Sequence, residues 1–327
     1  MRRLAAFWFV GWLLSGASVL AADAVAIRAT PVALHPNEPE RQSLDRLVYR
    51  GGLVLTAADS RFGGFSDLHV SPDGRRILAV SDRGNWLDAD ILYDAHGRLA
   101  GIARGRIGAL IDLAGKPLLG LVGDAEGLAV YPDGSLLVSF EHGHRFWLYP
   151  PGDPPFARPP RAVPLPKRAL DMPFNGGIEA VSRLAHGPLF ALSEEMMDGR
   201  DNVGWIGDGT TWEELRYRAA RGFRPTGMAQ IPAGLAQAGD VLVLERRFTL
   251  LEGAGSRIVR LPGSTIRPGA ALEGEELAVL RQPATVDNFE GIAVARGSLG
   301  ETLIYILSDD NFSFLQRTLL LMFELPP

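Results

Sequence analysis

Residues 65–84 read FSDLHVSPDGRRILAVSDRG, and this stretch decides the fold because four further copies of its pattern follow along the chain. Each copy has an apolar segment, a turn and a second apolar segment. In the first two copies the turn is SPDG or YPDG, where proline presets φ and glycine accepts a positive φ. Such a unit, repeated roughly every fifty residues, predicts a β-propeller or another repeat array. The other copies occupy residues 125–143, 177–195, 225–247 and 288–311.

The intervals between copies leave room for two more strands in each repeat, which gives the four-stranded blade of a propeller. Segments such as HRFWLY (144–149) and VGWIG (203–207) supply these outer strands. The last copy leaves room for one further strand, LQRTLLLMFEL (315–325), so its fourth strand is predicted to be the N-terminal RLVYRGGLVL (46–55). The sequence thus predicts a single all-β propeller closed by both chain ends. Five blades can be counted, and six are compatible with one degenerate unit.

The N-terminal residues have the three-part pattern of a secretory signal peptide. Arg2 and Arg3 precede an apolar stretch over residues 4–20 and small residues that offer cleavage between Ala21 and Ala24. We therefore predict a periplasmic or secreted protein without a membrane span after cleavage; an uncleaved membrane anchor is the alternative. The predicted divisions are a signal peptide over 1–22, a loose leader over 23–44 and the propeller over 45–327.

Composition narrows the function. The formal net charge is −5 and the chain has no basic run, which argues against a nucleic-acid partner. The chain has no cysteine, which excludes disulfides, thiolate metal sites and a cysteine nucleophile. It also lacks a G-x-S-x-G elbow, an H-E-x-x-H motif and a Walker loop. We expect a monomer that acts on a small molecule.

Polar side chains recur at two matched points of the five copies. A hairpin returns to the end at which it started, so both points are predicted to lie at one mouth of the central channel. The first matched points are Asp67, Glu126, Glu179, Thr226 and Glu290. The second matched points are Asp82, Glu141, Glu194, Glu245 and Asp309.

Nine of these ten positions are carboxylates, and crowding like charges disfavours the ionisation of each one. A divalent cation would resolve the conflict, and hard oxygen ligands favour calcium. The predicted metal ligands are Asp67, Asp82, Glu126, Glu179, Glu194, Glu245, Glu290 and Asp309. The alternative is that the acids form structural ion pairs with Arg83, Arg246 and Arg317.

The segments at and after the second points supply candidate catalytic groups. His142, with Glu141 beside it, is a candidate general base near neutral pH. Arg83 and Arg246 are candidate clamps for an anionic substrate.

These residues resemble the phytase-like β-propeller family, whose members are described as having esterase-like activity. The resemblance covers residues 45–327 and implies a propeller, export in bacteria and hydrolysis of a phosphoester or carboxylic ester. With the acids, this gives the hypothesis of a calcium-dependent hydrolase. A ligand- or protein-binding propeller with structural calcium and a lactone hydrolase stay open as alternatives. The segments that carry the resemblance include RFGGFSDLHVSPDGRRILAVSDRG (61–84), DAEGLAV (124–130), FEHGHRFWLY (140–149), GGIEA (176–180), ALSEE (191–195), NFEGIAV (288–294) and LSDDNFSFLQRTLLLMFEL (307–325).

Overall fold

The computed structural model describes residues 22–327, so the signal peptide predicted over 1–22 lies outside the described residues except for its last position. Within this part of the chain the regular structure is β-strand, apart from three short 3-10 helices at Gly120–Gly123, Lys167–Asp171 and Gly263–Thr265. No helix in the described range is long and apolar enough to cross a membrane.

Four strands precede the first repeat: β1 (Asp23–Val25), β2 (Ile27–Pro31), β3 (Ser43–Leu44) and β4 (Leu47–Ala57). The first blade contains β5 (Phe65–Val70), β6 (Arg76–Ser81), β7 (Asn85–Tyr93) and β8 (Leu99–Ala109), and β1 pairs with the outer edge of β8. The second blade contains β9 (Ala125–Val130), β10 (Leu136–Phe140), β11 (Arg145–Tyr149) and β12 (Arg161–Val163).

The third blade contains β13 (Ile178–Arg183), β14 (Leu189–Asp198), β15 (Asp201–Gly207) and β16 (Trp212–Tyr217). The fourth contains β17 (Arg224–Gln230), β18 (Val241–Thr249), β19 (Gly253–Leu261) and, after the short β20 (Ala271–Leu272) that pairs with β16, β21 (Glu275–Arg281). The fifth begins with β22 (Phe289–Arg296), β23 (Thr302–Ser308) and β24 (Thr318–Leu325).

The chain ends close the ring as predicted. β4 is the fourth strand of the last blade and pairs antiparallel with β24, which removes an exposed sheet edge. The first strands of successive blades contact one another in the order β5, β9, β13, β17, β22 and back to β5. The fold is therefore a five-bladed propeller, and residues 22–327 form no sixth blade, which the sequence had left open.

The segment 23–44, predicted to be a loose leader, is partly ordered into strands. β1 extends the first blade by pairing with β8, and β2 extends the fifth by pairing with β4. Both strands are short and polar on one side, so the sequence pattern did not distinguish them from a loop.

Apolar side chains fill the spaces between blades. Five buried clusters occupy the five interfaces of the ring, because each blade is apolar on both faces and must stack on two neighbours.

The inner strands of neighbouring blades approach one another closely, and glycine allows this because it has no Cβ. A Cβ on Gly127 would lie 2.5 Å from the carbonyl oxygen of Glu179, and one on Gly227 would lie 2.4 Å from that of Glu290.

Candidate metal centre

A β-bulge near the start of each inner strand decides which side chains enter the channel mouth. In each blade one inner-strand residue has no partner on the second strand, and a bulge re-aims the side chain at that position. The bulged residues form what we call the inner ring: Ser66, Glu126, Glu179, Thr226 and Glu290.

A second set of residues, the outer ring, lies on the second strand of each blade, at or just beyond the end of the segment that pairs with the inner strand. In four blades the backbone N–H of the outer-ring residue donates to a carbonyl of the same blade, over 2.9–3.0 Å; this carbonyl belongs to the residue two positions before the bulged one. The fourth blade has Arg246 at this position, opposite Arg224. The outer ring is Asp82, Glu141, Glu194, Arg246 and Asp309.

Two predicted metal ligands, Asp67 and Glu245, lie one residue away from these rings. Side chains alternate between the faces of a strand, so a slip of one residue turns them away from the mouth. Asp67 is buried and accepts hydrogen bonds from the N–H groups of Leu68 (2.8 Å) and Leu128 (2.7 Å). It therefore joins the first two blades and does not reach the cavity.

Glu245 is fully buried and has a structural environment of its own. It accepts hydrogen bonds from the Tyr217 hydroxyl and, over 2.8 Å, from the Arg257 guanidinium. The structure thus does not bring Glu245 to the proposed metal site, contrary to the sequence prediction.

The other six predicted ligands line one cavity of about 470 Å³ at the channel mouth. Three further acids, Asp124, Glu141 and Glu195, also line it, so nine carboxyl groups face the same space. Among the described residues that line this cavity, Arg246 is the only Lys or Arg. The six are Asp82, Glu126, Glu179, Glu194, Glu290 and Asp309.

Burial and mutual repulsion alter the acidity of these groups. Burial, followed by the charges of Glu179 and Asp124, raises the pKa of Glu126 well above its ordinary value. Burial also raises the pKa of Glu290 to about 8, although Arg246 opposes the change. For Asp82, burial and the neighbouring acids raise the pKa to about 7. In the absence of a cation several of these groups therefore hold protons near neutral pH, and a cation would replace those protons.

Arg246 is engaged with the acids. It donates to the Glu290 carboxylate over 2.6 Å, to Glu194 over 3.0 Å and to the side-chain oxygen of Asn288 over 2.9 Å. For this residue the structure matches the ion-pair alternative rather than the substrate clamp. Arg317 pairs with Asp287 over 3.1 Å and does not line the cavity.

Among the described residues, one group of side chains has its ligand atoms close enough together to hold a metal ion. Asp124, Glu141 and His142 each offer an atom, and these atoms lie within 4.8 Å of one another. Glu141 is held by the N–H groups of Gly176 and Gly177, the latter over 3.1 Å. We call these three residues the metal centre.

The contacts of His142 fit a cation. Its Nε2 lies 3.0 Å from the side-chain oxygen of Asn175 and donates to it, which leaves Nδ1 to face the other two residues of the metal centre. Nδ1 is buried without a hydrogen-bond partner and faces the carboxylate of Asp124. A proton on Nδ1 would make this contact an ion pair between His142 and Asp124, and a metal cation in place of that proton would bind both atoms.

Sequence reasoning missed Asp124, Asn175 and Ser66. A signal existed for Asp124: it lies two residues before Glu126, as the polar Asn288 lies two residues before Glu290. Asn175 lies in the loop before β13, outside the repeated hairpin pattern, so no sequence signal marked it.

Arg83, the other predicted clamp, lies on an adjoining cavity. Its guanidinium stacks on the Phe312 ring, 3.4 Å from the ring centre. Within the described range no carboxylate lies within 4.0 Å of its nitrogen atoms, so its charge is available to an anion.

Residues 60–312 match the family Phytase-like, described as "Esterase-like activity of phytase". This match spans most of the chain, and the protein belongs to that family, as the sequence resemblance predicted. No curated protein matches the chain closely enough to support a comparison.

Several solved structures are distantly similar. A candidate gluconolactonase has 15% identity and a TM-score of 0.44, with 94% of each chain covered. The PQQ-bound aldose sugar dehydrogenase of Streptomyces coelicolor has 14% identity and a TM-score of 0.45, covering 84% of this chain and 97% of its own. A luciferin-regenerating enzyme has 10% identity and a TM-score of 0.41, covering 80% and 93%. Likenesses this distant carry no argument about chemistry.

Proposed function

We propose that this protein is an exported, metal-dependent hydrolase of phosphoesters or carboxylic esters. One observation carries the proposal: nine carboxyl groups line one cavity of a phytase-like propeller, and two of them, Asp124 and Glu141, form a possible metal-binding group with His142. Crowding this many acids is costly without a cation, and enzymes accept such a cost at functional sites.

Asp124, Glu141 and His142 are the residues proposed to hold the metal. A metal bound there would act as a Lewis acid on the ester oxygen and would lower the pKa of a water molecule. The surrounding carboxylates favour calcium, whereas an imidazole ligand also suits manganese or zinc. Metal analysis of the purified protein distinguishes these ions.

The chain's own residues have separate roles in this proposal. Asn175 fixes the ring orientation of His142, and the Gly176 and Gly177 amides hold Glu141 in place. Because His142 is then occupied as a ligand, we assign proton transfer to Asp82, which lines both the acidic cavity and the adjoining one. Arg83 binds the anionic part of the substrate.

The test is hydrolysis of 4-nitrophenyl phosphate, 4-nitrophenyl acetate and a simple lactone by the mature protein. We expect turnover that a chelator removes and that one of Ca²⁺, Mn²⁺ or Zn²⁺ restores. Asp124→Asn should lose this turnover while remaining folded. Asp198→Asn, an exposed acid paired with Arg216 outside the cavity, is the matched control and should keep it. Absence of metal-sensitive turnover on all three substrates would reject the hydrolase, and metal binding without turnover would favour a binding propeller.

Export is a separate part of the proposal and rests on the N-terminal sequence. Expression with the full N-terminus should give a periplasmic product whose mass corresponds to cleavage between Ala21 and Ala24. A product that retains residue 1 in the cytoplasm would contradict it.

A further inference from the structure

A second cavity, of about 680 Å³, opens beside the metal centre. It is lined by Asp82, Asp124 and His142 and by the loop that carries Leu119 and Leu121. Asp82 and Asp124 also line the acidic cavity. The two cavities are therefore adjacent, and we call them together the cleft, with an acidic half and an apolar half.

The apolar half has exposed leucines at a fixed position. Leu119 is 76% exposed and Leu121 is 63% exposed, whereas Leu118 is buried and anchors the loop. Gly84 and Gly123 pack backbone to backbone behind it: a Cβ on Gly84 would lie 3.0 Å from the Cα of Gly123. Apolar side chains held at the edge of a polar site are typical of ligand pockets.

Over residues 22–327, two arginines also line the apolar half of the cleft, and only one of them is paired with carboxylates. Arg61 is paired with Asp59 (2.7 Å) and Asp23 (2.9 Å). Arg83 stacks on Phe312 and has no carboxylate partner within 4.0 Å in the described part of the chain. Arg83 is therefore the group in this cleft that can hold an anion, and it lies on the same cavity as the leucines.

We propose that the substrate is an amphipathic monoester. Its anionic head would bind between the metal centre and Arg83, and its alkyl or aryl group would lie on Leu119 and Leu121. This inference rests on the proposed function and adds the substrate class. A multiply phosphorylated polyol does not fit, because the cleft offers leucines where such a ligand would need further cations.

The experiment uses n-alkylphosphonates, which carry the same head and cannot be hydrolysed. Binding to the metal-loaded protein is measured by calorimetry from methyl- to pentylphosphonate. We expect Kd to fall about fourfold for each added methylene, as burial of a CH₂ group predicts. Arg83→Gln should weaken binding at every chain length by about tenfold and leave this dependence unchanged.

The leucines are tested by Leu119→Ser/Leu121→Ser, which should reduce the dependence on chain length to less than about 1.5-fold for each methylene. The matched control is Leu250→Ser/Leu251→Ser, because these leucines are also exposed and do not line the cleft; it should keep the full dependence.

A Kd independent of chain length, an unchanged dependence in the Leu119/Leu121 variant, or no binding of any phosphonate would overturn the inference. Phosphonate binding that strengthens with chain length, together with no turnover of the three test substrates, would reject the hydrolase and support the ligand class. Metal-sensitive turnover without any chain-length dependence would support the hydrolase and overturn the ligand class.

Discussion

Replacement of Arg246 by methionine tests whether one guanidinium stabilises the acidic cavity. The arginine donates to Glu194 and Glu290 inside a space lined by nine carboxyl groups. Burial disfavours its charge, but the charges of Glu290 and of neighbouring Glu179 and Glu194 hold its pKa above the usual value. Methionine keeps much of the apolar stem and removes the charge and all three hydrogen bonds.

The expected loss follows from the burial of the pair. Removal of one partner from a buried ion pair costs about 3–5 kcal/mol. The Arg246 side chain is 27% exposed, so solvent screens part of the interaction and we expect about 2–4 kcal/mol. For a chain of this size that corresponds to a decrease in Tm of about 3–6 °C.

The assay is thermal unfolding at pH 7.5 in chelator, followed by calorimetry. Arg317→Met is the control, because Arg317 is paired with Asp287 at a 45% exposed position outside the cavity and should cost less than about 1 kcal/mol. Glu290→Gln should recover part of the loss in the Arg246→Met background, since it removes a buried carboxyl group that has lost its partner. A Tm within about 1 °C of the wild type for Arg246→Met would refute the role assigned to this arginine.

Three further predictions concern the metal centre and the buried acids. Asp124→Asn should raise the metal Kd at least about tenfold in a calorimetric titration, and an unchanged Kd would remove Asp124 from the centre. Asp67→Ala should lower the Tm and leave metal content unchanged, because it deprives the Leu68 and Leu128 N–H groups of their acceptor; loss of metal at an unchanged Tm would contradict this. The raised pKa values of Glu290 (about 8) and Asp82 (about 7) predict stability that is complete below about pH 4 and is lost as the pH rises towards 8. The metal-free protein should therefore melt at a lower temperature at pH 8 than at pH 5.5, and added metal should restore the Tm at pH 8; a higher metal-free Tm at pH 8 would refute the linkage.

Much of the fold was predictable because its signals are local. Turn residues and apolar segments act within one hairpin, so residues 65–84 and their copies were enough to predict the blades. Counting strands in the last copy also predicted the pairing of β4 with β24. The short strands β1 and β2 were missed, because they are held by the edges of β8 and β4 and not by a pattern of their own.

The sequence by itself determined the hairpin repeat, the closure of the ring and the gathering of acids at one end of the channel. Only the tertiary structure decided which residues face that opening. Each inner strand has one unpaired bulge residue, and in the first blade it is Ser66, so that the adjacent Asp67 faces away from the cavity. On the second strand of the fourth blade, Arg246 faces the cavity and the adjacent Glu245 does not. The same geometry left Asp67 and Glu245 among structural contacts, and the stacking of blades brought Asn175 against His142.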